Sequence, residues 1–77
     1  MTKRTKLSSE KIMDKAKNYF SSHGLKIRSE TPGCCLEFGS DLGFVTIELT
    51  PVDNLNEIKV TTREFEYQIQ EFLMEKV

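Results

Sequence analysis

The spacing of apolar residues changes twice along this 77-residue chain, and that change restricts the possible folds more than any other feature. Ile12, Ala16, Tyr19 and Phe20 recur every three or four residues, which is the spacing that buries one side of a helix. Apolar and polar residues then alternate over much of the middle of the chain, as in strands with one buried face. Helical spacing returns from Phe65 onward. The pattern predicts a helix, a set of strands and a second helix.

The first helix has clear signals at both ends. Ser8 fits the N-cap position, and Leu7 and Ile12 flank it at the spacing of a hydrophobic staple. Gly24 fits the left-handed residue that ends many helices, and Leu25 is placed to fold back as in a Schellman motif. We therefore expect this helix to begin after Ser8 and to end before Gly24.

The middle of the chain predicts four strands joined by short turns. The strand candidates are Leu25–Glu30, Cys34–Phe38, Phe44–Thr50 and Glu57–Thr61. Pro32 and Gly33 favour a turn between the first two strands, because proline pre-sets φ and glycine accepts positive φ. The segment Gly39–Gly43 closes a second hairpin, whereas Pro51–Asn56 predicts a looser connection. Short links make neighbouring strands antiparallel.

The second helix is predicted to begin near residue 61. Thr61 and Glu64 have the spacing of a capping box, although Thr62 is an alternative cap. Its apolar stripe consists of Phe65, Ile69, Phe72 and Leu73. Because both helices have one apolar stripe, we expect both to cover the same face of the sheet. The predicted fold is a two-layer α+β sandwich in the order α-β-β-β-β-α, with a four-stranded antiparallel meander and two antiparallel helices. Residues 1–77 form one domain, of which residues 1–6 are a flexible basic tail.

Charge divides the chain sharply. Residues 1–28 contain eight Lys or Arg and two acids, whereas the remaining residues contain three Lys or Arg and ten acids. On the helices, Lys11 and Lys15 lie on one flank and Glu64, Glu71 and Glu75 lie on the matching flank of the other helix. If these flanks face each other they form an intramolecular seam of ion pairs. If both face solvent, opposite charges favour self-association.

One face of the predicted sheet is left uncovered, and it offers the first candidate surface. Arg28, Cys35, Phe44 and Glu48 all fall on this face. Mixed charges are normal for a solvated face, but Phe44 and Cys35 also suit the centre of a shallow protein interface. A second candidate is Tyr67 with Met74, which lie opposite the buried stripe of helix 2 and could anchor a partner.

No residue pattern indicates catalysis, a metal site or a cofactor. Cys34 and Cys35 are adjacent and lack redox spacing, so we expect two free thiols in a reducing compartment. The single histidine, His23, falls at the end of the helix 1 stripe and lacks the further ligands that a metal would need. No apolar run approaches the ~18 residues that span a bilayer, and no secretory signal is present. We therefore expect a cytoplasmic, non-enzymatic protein that does not bind membranes.

Two functions are consistent with these features, and a third, a small enzyme or thiol protein built around Cys35, requires a thiol much more reactive than an ordinary cysteine. The first is an interaction module that forms a dimer or binds another protein through the two candidate surfaces. The second is weak, salt-dependent nucleic-acid binding through the basic N-terminal segment and helix 1, where Lys3, Arg4, Lys6, Lys11, Lys15 and Lys17 cluster. The acidic remainder of the chain opposes this second function.

Overall fold

A computed structural model describes residues 1–77, which form five strands and two helical segments. The elements, in chain order, are β1 Thr2–Thr5, α1 Ser9–Ser22, β2 Lys26–Thr31, β3 Cys35–Gly39, β4 Phe44–Val52, β5 Leu55–Arg63 and α2 Glu66–Glu71. A π-helical turn, Phe72–Lys76, follows α2 directly. The strands form one antiparallel sheet in the order β1-β5-β4-β3-β2. The α+β class is confirmed, but the sheet has five strands rather than four, and a strand precedes α1.

The additional strand, β1, replaces the flexible tail predicted for residues 1–6. Thr2–Thr5 pairs with β5, with Lys3 opposite Ile58 and Thr5 opposite Asn56. The Lys3 ammonium donates a hydrogen bond to the Leu73 carbonyl near the start of the π-helical turn. Backbone pairing with β5 and this side-chain hydrogen bond therefore hold the strand in place. The apolar alternation used to recognise strands is absent from it, which is why the prediction was wrong.

The predicted ends of α1 are confirmed. The Ser8 side chain accepts a 3.2 Å hydrogen bond from the Lys11 amide. Leu25 N–H donates to the Phe20 carbonyl, Gly24 N–H donates to that of Ser21, and Gly24 has a φ of 85°. These two bonds are the pair that defines a Schellman motif. They satisfy carbonyls that the end of a helix would otherwise leave without partners.

The β4–β5 hairpin is longer than predicted. Both strands continue through the segment expected to be a loose connection, so that Val52 lies opposite Leu55. Asp53, with a φ of 55°, adopts the left-handed conformation that a two-residue turn requires and that aspartate accepts. Pro51 is accommodated in β4 because β3 extends only to the position opposite Glu48. No neighbouring strand on that side therefore needs a backbone N–H donor at position 51.

The second helix begins later than the capping-box pattern predicted. Thr61 and Thr62 belong to β5, where they lie opposite Thr46 and Val45, and the Thr62 hydroxyl donates to the Phe44 carbonyl. Glu64 has a φ of 81°, so the chain reverses there before α2. Cross-strand pairing has therefore extended β5 over residues that carry a helix-start pattern.

One hydrophobic core joins the sheet to both helical segments. It contains the buried residues of α1, the inward residues of β3, β4 and β5, and the predicted stripe of helix 2. The Phe20 ring packs against Phe38 and Phe72 with both centroid distances at 5.2 Å. Both helical segments therefore cover the same sheet face, as predicted. The other face has no covering layer.

Edge strand β2 departs from the predicted burial. Leu25, just before it, is buried, but Ile27 is 43% exposed, although alternation placed both in the core. The pairing register between β2 and β3 shifts between Ile27 and Ser29. This irregularity at Arg28 bends the strand, and all of β2 is exposed.

Candidate interaction surfaces

The four residues predicted on the open sheet face are brought to that face in two groups. Cys35 lies directly opposite Glu48, which lies opposite Lys59 on the next strand. Phe44 lies four residues from Glu48 on the same strand, between Gly39 and Arg63. The first group thus places one acid between a cysteine and one base, whereas the second group has an aromatic ring beside a basic side chain.

Arg28 completes the second group because its side chain lies across Gly39. A β-carbon added to Gly39 would overlap the Arg28 guanidinium, so the missing side chain leaves the space that Arg28 occupies. Arg28 forms no ion pair. Phe44 is only partly exposed. The surface at Phe44 is therefore a basic corner around a partly covered ring.

The cysteines differ from the prediction of two free thiols. Cys34 and Cys35 are joined in a disulfide, with a Cα–Cα distance of 3.7 Å. The prediction placed both residues on one strand, where neighbouring side chains point to opposite faces. Cys34 instead lies in the turn, where its amide donates to the Thr31 carbonyl, and only Cys35 belongs to β3. The alternation rule therefore does not separate the two sulfur atoms.

The seam of ion pairs between the helices, one of the two alternatives for the charged flanks, is absent. The two ion pairs in the structure are Arg4 with Glu57 and Lys17 with Glu30, so Lys11 and Lys15 pair with no acid. The helical segments are joined instead by the Tyr19 hydroxyl, which donates a 2.6 Å hydrogen bond to the Glu71 carboxylate. Burial, followed by this hydrogen bond, raises the pKa of Tyr19 above its ordinary value.

Half of the predicted basic cluster is engaged within the molecule. Lys3 contacts the Leu73 carbonyl, Arg4 contacts Glu57 and Lys17 contacts Glu30. The acids in these contacts come from the negatively charged part of the chain. The charge division therefore acts partly as attraction within one molecule, between β1 and β5 and between α1 and β2, and not between the two helical segments.

Tyr67 and Met74 lie on the surface, where the sequence placed them. Tyr67 is 72% exposed and Met74 is 80% exposed. Met1, at 52% exposed, adds a third apolar side chain, and it lines a shallow cleft together with Met74. Thr2, Lys3, Gln70 and Leu73 complete the lining of this cleft. We call Met1, Tyr67 and Met74 the outer patch.

The outer patch adjoins a free sheet edge, which the sequence analysis missed. β1 is the last strand of the sheet, and its only partner is β5. A β1 strand was not expected, so neither its edge nor the contribution of Met1 to the patch was predicted. The two threonines, Thr2 and Thr5, whose β-branched side chains favour strands, were the only available signal.

His23 is exposed rather than part of the buried stripe. Its ring lies 4.4 Å from the Tyr19 ring, between centroids, and Nδ1 lies 2.8 Å from the Tyr19 carbonyl oxygen. No group of three or more His, Cys, Asp or Glu side chains lies close enough together to hold a metal ion. None of the helices has the length and apolar character needed to cross a membrane.

Comparisons with other proteins add no relative. No protein-family model matches this sequence, and comparison with curated proteins and with solved structures finds no significant match. The surfaces described above are therefore interpreted from their own chemistry.

Proposed function

We propose that this protein is a non-enzymatic interaction module that binds another protein, or a second copy of itself, through the outer patch. The observation that carries the proposal is the high exposure of Tyr67 and Met74, of which Met74 lines a cleft together with Met1. Exposed tyrosine and methionine side chains are favoured at protein contacts, because tyrosine is amphipathic and methionine adapts to irregular surfaces. Burying them in a complex removes apolar area from water.

The open sheet face supports the proposal less strongly. Phe44 is already partly covered and is flanked by Arg63 and by Arg28. Its remaining apolar area is therefore smaller than that of the outer patch. Cys35, opposite Glu48, contributes a bonded sulfur rather than a free thiol. We retain this face as the competing surface in the experiment below.

The contacts within the molecule support nucleic-acid binding through the basic segment less than the sequence does. Lys3, Arg4 and Lys17 contact partners within the molecule, which leaves Lys6, Lys11 and Lys15 free of ion pairs. Three dispersed ammonium groups on an overall acidic molecule provide weak attraction for phosphate. No observation favours this function over protein binding.

Site-specific photocrosslinking in cells tests the proposal. Benzoylphenylalanine introduced in place of Tyr67 is expected to give a discrete product of higher mass, and Met74→Lys is expected to abolish it. The same amino acid in place of Phe44 provides the matched control on the opposite face. A product of twice the monomer mass would identify a second copy as the partner. Crosslinking from position 44 alone would contradict the proposal in favour of the open face, and no crosslinking from either position would also contradict it.

A further inference from the structure

We propose that the free edge of β1, together with the cleft beside Met1 and Met74, binds an extended segment of a partner protein as an added antiparallel strand. The segment would alternate apolar with acidic residues. This inference rests on the proposed function and specifies the mode of binding and the chemistry of the partner. Strand addition supplies affinity through main-chain hydrogen bonds and specificity through pockets for alternate side chains.

The backbone amides and carbonyls of β1 alternate between the edge that faces β5 and the free edge. Met1 and Val60 exchange both backbone hydrogen bonds, at 2.8 and 2.7 Å. In an antiparallel pair such exchanges recur at every second residue, so Lys3 and Thr5 also face β5. The amides and carbonyls of Thr2 and Arg4 consequently point away from the sheet. They form a short row of donors and acceptors that a further strand can pair with.

The cleft lies on the side of this edge where apolar side chains of an added strand would point. Lys3 and Thr5 point toward the helical layer, since they reach the carbonyls of Leu73 and Val77. An added strand continues the pleat, so every second side chain projects in the same direction. Those side chains would enter the cleft between Met1 and Met74. An apolar residue at these positions would cover two methionines that are otherwise more than half exposed.

The charges near the free edge of β1 determine which partner segment is favoured there. The acidic side chains of such a segment would project to the open face, where Arg4 lies on β1 and Lys59 lies beside Thr2, and the exposed Lys6 follows β1. Glu57 is the acid that pairs with Arg4 there. A second copy joined antiparallel through β1 would bring the basic side chains of two β1 strands together, which is unfavourable. An acidic segment would instead meet opposite charges. The other edge strand, β2, is a poorer site because its register shifts at Arg28.

A labelled heptapeptide that alternates glutamate with valine and leucine, with blocked ends, provides the probe, and fluorescence anisotropy provides the measurement. The intact protein is expected to bind this peptide in preference to one in which lysine replaces each glutamate, and added salt should weaken the binding. Met74→Ala is expected to weaken binding, because it removes one wall of the cleft. Circular dichroism of each variant checks that the fold is kept.

Two variants at position 4 isolate strand addition from charge. Arg4→Ala removes the guanidinium and keeps the outward amide, whereas Arg4→Pro removes both without breaking a bond to β5. Arg4→Pro is expected to bind about tenfold more weakly than Arg4→Ala, the loss of roughly one hydrogen bond. Equal binding by these variants would overturn strand addition, and equal binding of both peptides would overturn the preference for acids.

The remaining outcomes separate this inference from the proposed function. Absence of peptide binding, with crosslinking from position 67 retained, would overturn strand addition and leave the interaction module intact. A crosslinked dimer that Arg4→Pro abolishes would replace the acidic segment with a second copy as the occupant. Loss of both the peptide binding and the crosslink would overturn the two proposals together.

Discussion

The Tyr19 hydroxyl lies 2.6 Å from the Glu71 carboxylate and is the polar contact that joins the two helical segments. Tyr19 itself is buried, and its ring packs against Phe72 at a centroid distance of 5.6 Å. The sequence placed Glu71 in a row of charges facing either lysines or solvent. The actual partner is an uncharged hydroxyl on a residue that the apolar stripe already placed in the core.

This contact predicts a loss of stability at alkaline pH. The pKa of Tyr19 is higher in the folded protein than in the unfolded chain, so above about pH 10 the unfolded chain binds fewer protons. Stability from this group is therefore complete below pH 10 and falls as pH rises toward the folded-state pKa. Urea unfolding from pH 8 to 11 should show a decline that is smaller in Tyr19→Phe. Equal declines in the two proteins would contradict the assignment. At pH 7, Tyr19→Phe should cost about 1–2 kcal/mol.

The packing of Phe72 against Phe20 and Tyr19 predicts that truncating Phe72 destabilises the protein far more than truncating an exposed residue. Phe72 is fully buried and contacts both Phe20 and Tyr19, so Phe72→Ala should lower the free energy of unfolding by about 3–5 kcal/mol. That loss is comparable to the whole stability of many small domains. Tyr67→Ala, on the exposed side of the same helix, should change it by less than about 0.5 kcal/mol. Thermal unfolding followed by circular dichroism measures both, and similar losses would contradict the core assignment.

Two buried glycines provide a matched pair for testing the hairpin geometry. A β-carbon at Gly43 would overlap the Arg63 carbonyl, which belongs to the backbone, whereas one at Gly39 would meet only the flexible Arg28 side chain. Gly43→Ala should therefore destabilise the protein by about 1–3 kcal/mol, and Gly39→Ala by clearly less. Urea unfolding of the two variants gives the comparison. A larger loss for Gly39→Ala would show that Arg28 cannot move aside.

The parts of the fold that follow local rules could be predicted from the sequence. The N-cap at Ser8 and the reversal at Gly24 each depend on a few neighbouring residues, as does the turn in which Gly33 has a φ of 78°. The buried stripe of α2 was also correctly identified. At Ser8, Gly24 and Gly33 one residue satisfies one local backbone requirement, and no contact with a distant part of the chain competes with it.

The errors arise where distant pairing decides the structure. Thr61 and Thr62 carry a helix-start pattern, but pairing with β4 places them in a strand. Strand β1 has no apolar alternation, and it forms because β5 and the Leu73 carbonyl provide partners. Two of the three residues of the outer patch were predicted: Tyr67 and Met74 follow from helical spacing, whereas β1 brings Met1 to the cleft that Met74 lines.

Amide hydrogen exchange of residues 2–5, resolved by NMR in the free protein, tests the central claim most directly. That claim is that β1 is a strand with one free edge. The amides of Lys3 and Thr5 are expected to be protected because they face β5, whereas those of Thr2 and Arg4 should exchange rapidly. Rapid exchange at all four residues would indicate the loose tail and remove the proposed site. Protection at all four would indicate that a second copy already occupies the edge.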